Sequence, residues 1–94
     1  MKLEELKRRL REEGLDQYFT YRFDIWGGGY IAMHIRKNAN GTVSYCFTDE
    51  RGNIIAEHLN LPEEQACGEI YDYAVGERTL AEWKKEQMKK MTNM

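Results

Sequence analysis

The hydrophobic period of this chain changes twice, and those changes limit the folds open to it. Leu3, Leu6 and Leu10 recur at helical spacing, and Glu4–Arg8 and Glu5–Arg9 are acid-to-base pairs four residues apart in the supporting order. The pattern stops at Gly14, and Leu15 can fold back on Leu10, as at a glycine-terminated helix, here over residues 2–13. The period then drops to two. Phe19, Tyr21, Phe23 and Ile25 alternate with Thr20, Arg22, Asp24 and Trp26, the pattern of a half-buried strand.

After Gly27-Gly28-Gly29 the alternation resumes with Ile31, Met33 and Ile35, so the glycines are expected to form a hairpin turn. Asn38-Ala39-Asn40-Gly41 is a second turn and leads into a strand over 42–48 with Val43, Tyr45 and Phe47 on one face. A third turn, Asp49–Asn53, leads to a strand over 54–59, where adjacent Ile54 and Ile55 break the alternation and signal an edge or a bulge. Short connections favour an antiparallel meander.

Helical spacing returns after Pro62. Ala66, Cys67, Ile70, Tyr71 and Ala74 recur at three- and four-residue intervals up to Gly76, behind acids in the first turn. Thr79 with Glu82 has the form of a capping box, followed by a Leu80, Trp83, Met88, Met91 stripe and a Glu86–Lys90 pair. The expected fold is therefore α+β in one domain, residues 1–94: an N-terminal helix, a four-stranded antiparallel meander, and two C-terminal helices packed on the sheet. A chain of 94 residues has surface enough for one core only.

Charge is distributed unevenly. Residues 38–77 hold Asp49, Glu50, Glu57, Glu63, Glu64, Glu69, Asp72 and Glu77 against Arg51 alone, a net of −7, whereas residues 78–94 carry five bases and two acids. Clustered like charges repel and are relieved by a cationic partner, or they simply face water. A pI near 5.7 argues against nonspecific binding to nucleic acid or anionic lipid. The charged, amphipathic start has no signal-peptide core and no stretch has the length of a membrane span, so a soluble, cytoplasmic chain is expected. Cys46 and Cys67, without a CxxC, are read as reduced packing residues.

Sites of chemistry are sparse. The triple glycine precedes a strand, whereas a phosphate loop needs a helix N-terminus behind it. His34, His58, Cys46 and Cys67 lack the close spacing that pre-positions metal ligands, so no metal or other cofactor is expected. His34 is read as a polar residue on the outer sheet face, its protonation depressed by Arg22 and Arg36. No nucleophile–base motif occurs, and a domain this small has little room for a deep cleft, so no catalytic residues are assigned. Tyr18, Trp26, Tyr30 and Tyr73 fall off the apolar stripes, where they serve either as interface anchors or as cover for sheet edges.

Two stretches carry a family likeness. Val43-Ser44-Tyr45-Cys46-Phe47-Thr48-Asp49-Glu50-Arg51-Gly52, a strand ending in an acidic Arg-Gly turn, and Leu61-Pro62-Glu63-Glu64-Gln65-Ala66-Cys67, an acidic helix start, follow a leading helix and glycine-rich turns. In that order they resemble small cytoplasmic immunity proteins of bacterial polymorphic-toxin and contact-dependent growth inhibition systems, over residues 43–75. The resemblance implies a non-enzymatic inhibitor that binds one cognate toxin domain, a basic nuclease being the natural match for an acidic surface. The binding residues then expected are Asp49, Glu50, Glu57, Glu63, Glu64, Glu69, Asp72 and Tyr73, as one continuous face. A phage anti-CRISPR or DNA-mimic inhibitor would use the same carboxylates.

Overall fold

The computed structural model describes residues 1–92. Helix α1 (Leu3–Glu12) ends as its sequence dictates: Gly14 adopts φ +67° and Leu15 turns inward to full burial, beginning a short 3-10 turn, Leu15–Gln17. Four strands follow, β1 (Tyr21–Phe23), β2 (Ala32–Lys37), β3 (Val43–Thr48) and β4 (Ile54–Leu61), in the spatial order β1-β2-β3-β4. The chain closes with helix α2 (Glu63–Thr92).

The α+β class and the leading helix stand, but the sheet is mixed. β1 runs parallel to β2, with Tyr21 beside Met33 and Phe23 beside Ile35; only β2–β3 and β3–β4 are antiparallel. Alternation could not distinguish these arrangements, because it fixes the face on which a side chain lies and not the direction of the strand. What decides the direction is Asp24, at φ +63°, which ends β1 before the glycines are reached. The triple glycine is thus no hairpin turn. Gly27 and Gly28, both at positive φ, lie in a loop over residues 24–31 that crosses the outer face of the sheet. Ile25 and Ile31, core positions by alternation, sit in or beside this loop and are exposed.

The second correction concerns the C-terminus. Two helices were expected to break at Gly76, but α2 is one helix of 30 residues. Thr79 does not cap anything: its hydroxyl donates to the Val75 carbonyl four residues earlier, the bond of a threonine inside a helix. An exposed glycine within a helix costs about 1 kcal/mol, which long flanking helical runs can outweigh.

The core lies between the helices and one face of the sheet. Leu6, Leu10, Leu15, Met33, Ile35, Val43, Ala66, Cys67, Ile70 and Ala74 are buried there, with Phe19, Phe47 and Tyr73 edge-on to one another beside them. The other face is sealed locally by the 24–31 loop, which buries His34 and Thr48. Gly52 supports this closure, since a Cβ there would collide with the Gly28 carbonyl.

Candidate interaction surface

β4 is an edge strand exposed from Ile54 through Asn60, and only Leu61 is partly covered. Its pairing with β3 slips twice, near Val43/Tyr45 and near Phe47/Thr48, and Asn60 takes φ +56° at the first slip. Such irregularities are typical of edges and increase local twist. Ile54, Ile55 and Leu59 are large apolar side chains exposed here, a set that the imperfect alternation of the sequence signalled only as an edge. Glu57 pairs with Cys46 and so points to the outer face, away from the helices, while His58 pairs with Tyr45 and stacks on its ring at 4.6 Å on the helix side.

The eight residues predicted to bind a toxin divide into those occupied within the fold and those left exposed. Asp49 is occupied by its own turn: Oδ1 accepts from the main-chain N–H groups of Asn53 and Arg51, and these bonds hold its carboxyl below the usual range. Glu63 ties the ends of the fold together, accepting from the Leu3 N–H at 2.9 Å and pairing with Lys2 and Lys37; the Leu3 bond, then the lysine charges, lower its pKa. Glu69 accepts from the Tyr45 hydroxyl at 2.7 Å and from Gln65, and both depress its pKa. Tyr73 belongs to the aromatic cluster with Phe19 and Phe47, and burial, followed by a hydrogen bond to Glu77, raises its pKa.

Glu50, Glu57, Glu64 and Asp72 are exposed. Glu50 and Glu64 flank opposite ends of β4, separated by roughly 25 Å of extended chain. Asp72 lies on α2. The exposed acids therefore lie at and along β4, Glu50 and Glu57, and on α2, Glu64 and Asp72.

The histidines cannot share a site, because His34 faces the outer side of the sheet and His58 the helix side. His34 is no surface residue: it is fully buried, with Nδ1 3.1 Å from the Ile25 carbonyl and Nε2 2.9 Å from the Thr48 hydroxyl. Its protonation is depressed, as expected, but burial is the leading cause and Arg22 a lesser one. Trp26 packs under the Arg36 guanidinium, 4.1 Å from its ring centre, and Tyr30 under Arg22. Next to Tyr30 an open cavity of about 510 Å³ is lined by Thr20, Arg22, Gly29, Ile31 and Glu50.

Among the described residues no group of three or more His, Cys, Asp or Glu lies close enough to hold a metal ion. Both cysteines are free and buried, and burial pushes the Cys67 thiol up to about 11. No described helix is long and apolar enough to cross a membrane. No protein-family model matches the chain, and neither the curated proteins nor the solved structures contain a match.

Proposed function

We propose that this chain is a non-catalytic inhibitor of the immunity-protein kind, which binds one cognate basic toxin domain, a nuclease by charge, through the β4 edge. The observation that carries this reading is β4 itself: eight residues at the rim of the sheet, exposed almost throughout and carrying Ile54, Ile55 and Leu59 beside Glu57. An edge strand offers main-chain hydrogen bonds to an incoming segment, and exposed apolar side chains give the contact a dry centre. Carboxylates around that centre steer a basic partner and reject acidic ones. Asp49, Glu63, Glu69 and Tyr73 support the fold that presents this surface, and Glu50, Glu57 and Glu64 make the contact.

The test is co-expression with the product of the gene directly upstream. The chain is expected to copurify with it and to rescue growth, and a folded Glu50→Lys/Glu57→Lys/Glu64→Lys variant is expected to do neither. Loss of a charge fully desolvated at the interface costs about 2–5 kcal/mol of binding. Undiminished binding by the folded triple variant would remove the β4 edge from the mechanism.

A further inference from the structure

Arg22 is a cation that the fold leaves largely unused. It stands on β1 beside His34 of β2 and is partly buried. A guanidinium has five N–H donors, yet the one contact made here is a long one, 3.4 Å to the Gly27 carbonyl, while its face lies 5.2 Å from the Tyr30 ring centre. Among the described residues no carboxylate lies within ion-pairing distance of Arg22. The surroundings are held in place from several sides. Gly52 packs so closely on the Gly28 carbonyl that a Cβ would collide, which sets the turn carrying Glu50 against the 24–31 loop. The Thr48 hydroxyl donates to the Tyr30 carbonyl at 2.6 Å, and the Met33 N–H donates to the Thr20 carbonyl at 2.9 Å. The cavity of about 510 Å³ that Arg22 shares with Thr20, Gly29, Tyr30, Ile31 and Glu50 is therefore bounded by fixed backbone. Its volume falls among those of small-molecule sites, about 300–1,000 Å³. Tyr30 and Ile31, 62 and 58% exposed, give it an apolar wall.

We propose that this cavity binds a small monocarboxylate with an apolar body. The planar fork of a guanidinium matches the two oxygens of a carboxylate, and a guanidinium stacked on an aromatic ring keeps its edge free for that contact. Tyr30 and Ile31 take the apolar body, and the Thr20 hydroxyl is a further donor on the same cavity. Glu50 restricts the charge. With one cation and one acid on the cavity, a second negative charge on the ligand, as in a phosphate monoester, meets repulsion. The proposal does not rest on toxin binding, since it concerns the isolated chain and a different ligand.

The experiment is a titration of the full, isotope-labelled chain with 3-phenylpropionate, followed through backbone amide shifts by NMR. Two further probes, 2-phenylethylamine and phenyl phosphate, share the ring but not the carboxylate. Shifts are expected at residues 20–22, 29–31 and 50 and not along α2, with a Kd on the order of 1 mM for a ligand of this size. The amine is expected to leave those amides unmoved at the same concentrations, and phenyl phosphate to bind more weakly than the carboxylate, a gap that Glu50→Gln narrows. Arg22→Gln, with circular dichroism as the folding check, is expected to weaken binding on the order of tenfold or more. Ile31→Glu, at an exposed position, sets a like charge on the wall and is expected to do the same whether or not Arg22→Gln folds. No shifts at these amides up to roughly ten times that Kd, equal shifts with the amine, tighter binding of phenyl phosphate, or undiminished binding by either folded variant would overturn the proposal.

Discussion

His34 is enclosed by three oxygen contacts that need three protons. Its two ring nitrogens face the Ile25 carbonyl and the Thr48 hydroxyl, and that hydroxyl lies 2.6 Å from the Tyr30 carbonyl. A neutral imidazole and one hydroxyl supply only two protons, so these contacts favour the charged ring, but burial opposes it more strongly and the Arg22 charge adds to that opposition. The net depression fixes the sign of the pH dependence. The unfolded chain takes up a proton near pH 6.5 that the folded chain resists, so His34 contributes its full stability above that pH and loses it as pH falls toward the lowered folded value. Thermal unfolding followed between pH 7.5 and about 5 should show a falling midpoint, and His34→Gln should flatten that slope while lowering the midpoint at neutral pH. The lowered carboxyl pKa values of Asp49, Glu63 and Glu69 act further down, as pH falls below about 4.5. The sequence placed His34 on the correct sheet face. It could not reveal the burial, which comes from a loop whose path depends on the backbone of Asp24 and the glycines.

At the level of elements, α1 was readable almost to its ends because its apolar repeat, ion-pair spacing and terminating glycine agree. The C-terminal region gave conflicting signs. Gly76 and Thr79 have the chemistry of a helix stop and restart, yet both are accommodated within α2, Thr79 by bonding back to Val75. This difference is measurable. Thr79→Ala should leave stability unchanged or slightly raised, whereas loss of an N-cap would cost about 1 kcal/mol. Gly76→Ala, where nothing lies within 4 Å of an added Cβ, should raise stability by about 0.5–1 kcal/mol and increase helical circular dichroism. Urea titrations of both variants decide it. Destabilisation by both would restore the broken helix. β4 was legible as an edge, through its adjacent isoleucines, but not as a strand open on both faces, since that follows from where the helices stop.

For the molecule as a whole, the two cysteines report on opening from opposite sides of the sheet. Cys46 lies on the outer face beside His34, which the 24–31 loop covers, and Cys67 lies in the helix–sheet core; both are fully buried and burial raises both thiol pKa values. Labelling with a thiol reagent at pH 8 should be slow for the native chain and fast for both thiols in denaturant, with Cys46 the first to react if the loop opens before the core. Equal, immediate labelling of both thiols in the native chain would contradict the closed arrangement. The candidate site follows the same division between local and distant causes. The sequence located the acids, and their clustering over residues 38–77 pointed to a cationic partner, but it could not separate carboxylates that hold the fold from those that face outward. Glu63 is occupied by Leu3 and Lys2, and Glu69 by Tyr45, residues distant in the chain that only folding brings together. By itself the sequence determined the α+β class, the leading helix, the presence of four strands and the inward face of the central strands, because each follows from periodicity and turn chemistry within a few neighbouring residues. The parallel pairing of β1 with β2, the continuity of α2, the burial of His34 and the division of the acids were decided by the tertiary structure. Each depends on the free energy of contacts between distant segments, which local pattern does not encode.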